Sequence, residues 1–220
     1  DGLLVIPVNR SGKFMEPAKK AGVPVVLLDR AFYDEEFDFV GIDNRMAAYR
    51  AVKVLIENGH ERIAVITSNV EYSGIYRLEG DLEAMKEAGL SVPEEYRRLG
   101  KHSFELGYKN MKELLALQER PTAVFLGNYE TTLGGIMAVN ESELSWPKDI
   151  SIFGFDDLIM SRVVRPKIWI ARQPMEQMCA KAVDILMERI GSKQTPEEQI
   201  MKVTFGIQLR EGESIRRLNG

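Results

Sequence analysis

Ile150-Ser151-Ile152-Phe153-Gly154-Phe155-Asp156-Asp157 is the stretch whose reading decides the fold. Apolar residues alternate with small ones, the pattern of a strand covered on both faces, and the run stops abruptly at two carboxylates. A strand covered on both faces belongs to a parallel sheet with helices on either side. Sheets of that kind hold their ligands just beyond the carboxyl ends of their strands. Gly154 predicts a close backbone approach, which sets Asp156 or Asp157 at the mouth of a crevice as a fixed acceptor for hydroxyl or amine donors. The competing role for the pair is helix capping, to which Asp157 is well suited.

Outward from this strand, the chain alternates extended and helical patterns. Upstream, residues 62–67 and 122–126 read as strands. Helices are expected over 76–88, stopped by Gly89, over 104–117, with Tyr108, Met111, Leu114 and Leu115 on one side, and over 130–140. Further back, Gly2 to Val8 reads as a buried strand, residues 16–21 as a short helix, and Val23 to Asp29 as a second strand ending in the charged pair Asp29-Arg30. Strand, helix, strand implies a right-handed parallel crossover. After an acidic, aromatic loop and a brief strand over 39–42, Asp43 or Asn44 caps a helix with the core-facing stripe Ala48, Val52, Leu55, Ile56. Gly59 ends that helix, and His60 beside it reads as structural. Downstream, 168–170 is extended and Pro174 opens a helix whose stripe runs Met175, Met178, Cys179, Ala182, Val183, Leu186, Met187, Ile190, which predicts deep packing. Gln199 to Leu209 alternates as one last, partly exposed strand. The class is α/β.

Composition narrows the function. A chain of 220 residues, 45% hydrophobic, can bury one large core or two modest ones. With a formal charge of −4 it carries no basic field fit to hold nucleic acid by phosphate neutralisation. No apolar run approaches the roughly 20 residues of a membrane span, and no secretory leader pattern opens the chain, so a soluble, cytoplasmic protein is expected. The single cysteine, Cys179, sits among apolar neighbours and reads as a buried, inert thiol, and with two histidines it leaves no set of zinc ligands. The glycine signatures of dinucleotide binding, of triphosphate binding and of the hydrolase elbow are all missing from the sequence. No cofactor, no metal site and no catalytic residue is therefore expected, and the chain does not read as an enzyme. What remains is a set of polar residues at strand ends or just after them: Ser73 and Arg77, Asn128, Asp156, and Arg172-Gln173. Together they describe a polar cleft without a nucleophile, and binding is favoured over catalysis.

Five motifs, Gly41-Ile42-Asp43-Asn44, Leu55 to Ile63 (LIENGHERI), Arg77-Leu78-Glu79-Gly80, Asp149 to Asp157, and Arg172-Gln173-Pro174, occur in an order and spacing similar to the effector-binding domain of the LacI/GalR family of bacterial transcription regulators. The resemblance covers nearly the whole chain. It implies a periplasmic-binding-protein-like fold of two doubly wound parallel-sheet subdomains joined by three crossovers, near residues 59–62, 172–173 and 193–198. Residues 1–60 with 174–193 would form one subdomain, and 61–173 with 194–220 the other. It further implies a sugar-like small-molecule effector, a homodimer, and operator DNA reached through a headpiece outside this chain. By position, Arg77 and Asp156 would contact the effector, Asn128, Ser73 and Gln173 would line the cleft, and His102 stands where many members have a stacking aromatic residue. Tyr129 replaces the acid that usually follows Asn128. The family's domain opens with a strand-helix-strand-helix unit before the strand matching Gly2 to Val8, so the chain reads as a fragment with an unpaired sheet edge. A periplasmic sugar-binding receptor of the same fold is the alternative.

Overall fold

The computed structural model describes residues 1–34, 36–157, 159–191 and 200–218, which fall into two compact units. The first unit comprises Asp1–Asp43, Glu71–Ser73 and Pro174–Gly206, and the second comprises Asn44–Val70, Gly74–Gln173 and Ile207–Gly220. The chain thus changes unit directly after the third strand, and the helix at 44–57 joins the second unit, where the sequence assigned it to the first. The reason is local. Asp43 is followed at once by helical residues whose buried face packs on the second unit's sheet.

In the first unit four strands, β1 (Leu3–Val5), β2 (Val25–Leu28), β3 (Asp38–Ile42) and β9 (Lys202–Phe205), lie in the order β1-β2-β3-β9, all parallel. Helix α1 (Glu16–Lys20) connects β1 to β2, and α7 (Met175–Gly191) packs on β1, β2 and β3. One face of the sheet is filled by Met15, Val25, Leu27, Phe32, Phe37 and Phe39. Arg189 of α7 donates two hydrogen bonds to Asp38, from Nε to Oδ2 at 2.7 Å and from Nη2 to Oδ1 at 2.9 Å, with both side chains nearly buried. This bidentate geometry is what makes a buried pair tolerable.

The second unit holds a six-stranded sheet in the order β10-β8-β7-β6-β4-β5. Its strands are β4 (Ile63–Ser68), β5 (Arg97–Gly100), β6 (Ala123–Leu126), β7 (Ser151–Phe155), β8 (Trp169–Arg172) and β10 (Gln208–Arg210), and β10 is the antiparallel edge. Helices α4 (Phe104–Leu115) and α5 (Tyr129–Asn140) cover one face over Ala64, Ile66, Val124, Leu126, Ile152 and Ile170. Strand alternation turns Val65, Phe125, Phe153 and Phe155 to the other face. There α2 (Asn44–Glu57) packs on β6, β7 and β8, and α3 (Tyr72–Glu87) crowds α2 at Gly80, where a Cβ would lie 2.0 Å from the Arg45 carbonyl oxygen. Gly154 in β7 has the close neighbour expected of it: a Cβ there would meet Thr132 Cγ2 at 2.7 Å. A short helix, α6 (Met160–Val163), follows β7.

Several readings are corrected. Strand β5 falls between the helices expected over 76–88 and 104–117, where no strand was expected; it is short, carries Arg97 and Arg98, and sits at the sheet edge, so no buried pattern marks it. The single last strand is two: β9 pairs with β3 in the first sheet and β10 with β8 in the second, broken at Gly206. The crossover expected at 193–198 falls largely outside the described residues, and the chain passes between units after Gly206. Helix α7 buries Met178, Ala182 and Ile185, whereas Met175, Val183 and Met187 are 46%, 47% and 60% exposed. Cys179 is exposed rather than buried, because the apolar stripe is wider than the face laid on β1, β2 and β3. Strand β1 is shorter than read and half open, with Leu3, Leu4, Ile6 and Val8 exposed at the sheet edge. Among the described residues no helix is long and apolar enough to cross a membrane.

Candidate functional site

The carboxyl ends of β4, β6 and β7 lie side by side in the parallel part of the second sheet. Arg77, on the second turn of α3, reaches them. It is 2% exposed, and its guanidinium carbon lies 3.5 Å from the centre of the Phe155 ring. Its Nε donates to Asn44 Oδ1 at 2.9 Å and its Nη1 to the Gly127 carbonyl at 2.6 Å. The same Nη1 stands 3.8 Å from Asp156 Oδ2. A cation stacked on an aromatic face, with its plane fixed by two acceptors, is a rigid donor array.

Asp156 closes β7 in a left-handed backbone conformation, φ 67°, which a non-glycine residue adopts only under local constraint. Its amide donates to the Ala171 carbonyl at 2.9 Å, and its Oδ1 accepts from Gln173 Nε2 at 2.6 Å. A quarter of the side chain is exposed, so the carboxylate is held on one side and open on another. Asp157 does something else: its Oδ2 accepts from Arg210 of β10 at 2.9 Å with the side chain 3% exposed. It does not cap a helix, since the residue before α6 is Ile159.

The remaining expected residues are placed as follows. Asn128 is the N-cap of α5, its Oδ1 accepting from Thr131 N at 2.9 Å, which fixes the side chain to the helix end. His102 is half-buried. Its Nε2 accepts from the Ser68 amide at 3.1 Å and lies 3.3 Å from Thr67 Oγ1, so the neutral ring carries its proton on Nδ1. It secures the end of β4 rather than turning to solvent. Gln173 is 7% exposed with its Oε1 lacking a hydrogen-bond partner. Ser73 is buried on α3, in the stretch grouped with the first unit. Thus Arg77, Asp156 and Gln173 share one network, while Asn128 and His102 fix neighbouring strand and helix ends. His60 is structural as read: it is fully buried, its Nε2 donates to the Arg216 carbonyl at 3.1 Å, and its Nδ1 accepts from Thr122 Oγ1 at 2.9 Å.

Two participants were missed by sequence reasoning. Asn44 was weighed only as a helix cap, yet it is the acceptor that orients Arg77, and Phe155 was counted only as core. The first unit repeats one feature: Asp29 at the end of β2 also has a left-handed φ of 68°, with Arg30 Nε 3.4 Å from its Oδ2. A strand ending in Asp was the available signal in both places. Among the described residues no group of His, Cys, Asp or Glu could hold a metal ion.

Comparison with known proteins gives concordant results. Residues 52–215 match the model of the periplasmic binding protein-like domain family. The ribose operon repressor of Escherichia coli (strain K12) is 33% identical over 206 residues, which is 93% of this chain and 62% of the repressor. The chain therefore spans less than two thirds of that relative. Among solved structures, the transcriptional regulator CelR in its cellobiose complex superposes with a TM-score of 0.88 at 28% identity, covering 97% of this chain and 65% of the other. A LacI-family transcriptional regulator from Enterococcus faecium with bound ribose gives a TM-score of 0.86 at 26% identity, covering 100% of this chain and 80% of the other.

Proposed function

Because the chain belongs to the periplasmic binding protein-like domain family, in the form carried by LacI-type regulators, we propose that it binds a small neutral sugar as the effector-sensing part of a transcriptional repressor. The observation that carries the reading is the Arg77–Asp156 pair. The two charges stand 3.8 Å apart at the carboxyl ends of parallel strands, too far for a direct hydrogen bond and close enough for one hydroxyl to bridge them. A hydroxyl donates to the carboxylate and accepts from the guanidinium, whereas an anion would be repelled by Asp156 and a cation by Arg77. Relatives crystallised with ribose and with cellobiose support a sugar. Asn128, Gln173 and His102, all of the second unit, are the further residues assigned to the site. Binding shifts a population between conformations and thereby changes operator affinity in the whole protein, which acts as a homodimer; operator contact belongs to the whole protein rather than to the residues described. No catalytic step is assigned. The alternative of a periplasmic receptor is less well supported, since the relatives are repressors.

A thermal-shift screen of aldoses, disaccharides, polyols and nucleobases tests the reading. A ligand at 100 times its Kd stabilises the folded state by about 2.7 kcal/mol. A rise in Tm confined to sugars supports it, and a rise with nucleobases alone refutes it.

A further inference from the structure

Four side chains of the second unit run end to end. Asn44 Oδ1 accepts from Arg77 Nε at 2.9 Å, Arg77 Nη1 faces Asp156 Oδ2 at 3.8 Å, and Asp156 Oδ1 accepts from Gln173 Nε2 at 2.6 Å. The two ends of this series coincide with two of the unit boundaries along the chain, Asp43/Asn44 and Gln173/Pro174. Both end residues are also incompletely satisfied. Asn44 is 3% exposed with no partner for Nδ2, and Gln173 is 7% exposed with no partner for Oε1. A buried amide with one half unpaired is disfavoured, and in each residue the paired half is the one that touches the charged groups.

The chemistry gives each end a distinct task. A guanidinium is a planar fork, so the acceptor at Nε, together with the Gly127 carbonyl and the Phe155 ring, sets its plane. A carboxylate rotates about its last torsion unless a donor holds one oxygen, which Gln173 does. We propose that Asn44 and Gln173 are positioning residues at the two ends of one series, two hydrogen bonds joined through the Arg77–Asp156 ion pair, which keeps Arg77 and Asp156 in register with these two chain crossings. A ligand that engages the charged pair then acts on both crossings at once. This functional consequence rests on the proposed effector site; the series itself does not.

The series is tested without ligand by native-state hydrogen exchange. The reporters are the Gly127 amide, which donates to the Ile66 carbonyl at 2.8 Å, and the Asp156 amide, which donates to the Ala171 carbonyl at 2.9 Å. Exchange is measured in the parent, in Asn44→Ala, in Gln173→Ala and in the double variant. Each single change accelerates exchange at both reporters, and the double variant falls about threefold or more short of the product of the two, because residues in one network couple. In an Asp156→Ala background the shortfall disappears. Asn44→Asp, which keeps the acceptor, restores slow exchange at Gly127, and Asn44→Leu does not. Asn44→Ser with Gln173→Met gives the same cycle should an alanine variant fail to fold. Multiplicative effects, or rescue by Leu as complete as by Asp, would overturn the proposal. A sugar screen without a hit would sink the effector reading and leave the exchange result standing.

Discussion

Replacing Asp81 by Asn should stabilise the second unit, and by an amount that grows with pH. Asp81 lies on α3 one turn beyond Arg77, is 1% exposed, and neither of its carboxylate oxygens has a hydrogen-bond partner. The charged and titratable groups on α3 and on the facing turns of α2 are engaged elsewhere: Arg77 with Asn44 and Gly127, Arg45 with Glu83, Tyr49 with Glu87. Burial alone pushes the Asp81 carboxyl from 3.8 up to about 7. That difference is about 3 units, and at about 1.36 kcal/mol per unit it amounts to roughly 4 kcal/mol, an upper figure because water entry and relaxation reduce it. A folded-state carboxyl that holds its proton more tightly than the unfolded one leaves the protein most stable below pH 3.8; stability is then lost as pH rises toward about 7 and levels off above it. Asp81→Asn keeps the shape and removes the titration. Urea unfolding followed by tryptophan fluorescence isolates the effect, since both tryptophans, Trp146 and Trp169, belong to the second unit. From pH 4 to pH 8 the stability of Asp81→Asn relative to the parent should rise by up to about 4 kcal/mol. A gap that is flat across that range, or a parent that gains on the variant with rising pH, would refute the reasoning.

Burial lowers the His60 imidazole from 6.5 to about 4, so its contribution is present above pH 6.5 and is lost as pH falls toward 4, by up to roughly 3 kcal/mol; the same assay on His60→Gln should show that acid slope removed. His102→Phe takes away the acceptor at the Ser68 amide and should lower second-unit stability by about 1 kcal/mol, read as a shift in urea midpoint with unchanged slope. Cys179 is exposed, so a thiol reagent should label native protein as fast as unfolded protein; labelling seen only after denaturation would place the thiol in the core.

How far the residues announce the structure depends on what their patterns report. Strands buried on both faces declare themselves, Val25–Leu28 through a continuous apolar run and Ser151–Phe155 through large apolar residues set among small ones with no charge between them. Edge strands do not: Arg97–Gly100 has two arginines among four residues, and only the sheet reveals that its backbone is paired. Periodicity shows which face of a helix is apolar and not how much of it is covered, which is why Cys179, Val183 and Met187 of α7 were misplaced. Of the residues proposed for the site, Asp156 is marked in the sequence because a buried run stopping at a carboxylate needs a reason, whereas Arg77, on α3, was singled out through the Arg77-Leu78-Glu79-Gly80 motif of the resemblance. Asn44 was hidden because an Asn before a helix already has a sufficient explanation as a cap. Asp81 was invisible for the opposite cause: an acid in an amphipathic helix reads as solvent-facing, and its burial follows from the tight approach of α3 to α2 at Gly80.

Isothermal titration of sugars into the parent and into Asp156→Ala tests most directly whether the pair at 3.8 Å holds the effector. With D-ribose, cellobiose and the sugars that raise Tm as titrants, the parent should bind at least one of them saturably at one per chain. Asp156→Ala, shown by circular dichroism to be folded, should bind the same sugar more weakly by roughly 1.5 to 3 kcal/mol, the range for hydrogen bonds to a charged group. Equal affinity in the folded variant, or no saturable sugar binding by the parent, would contradict the claim that this carboxylate and Arg77 hold the effector.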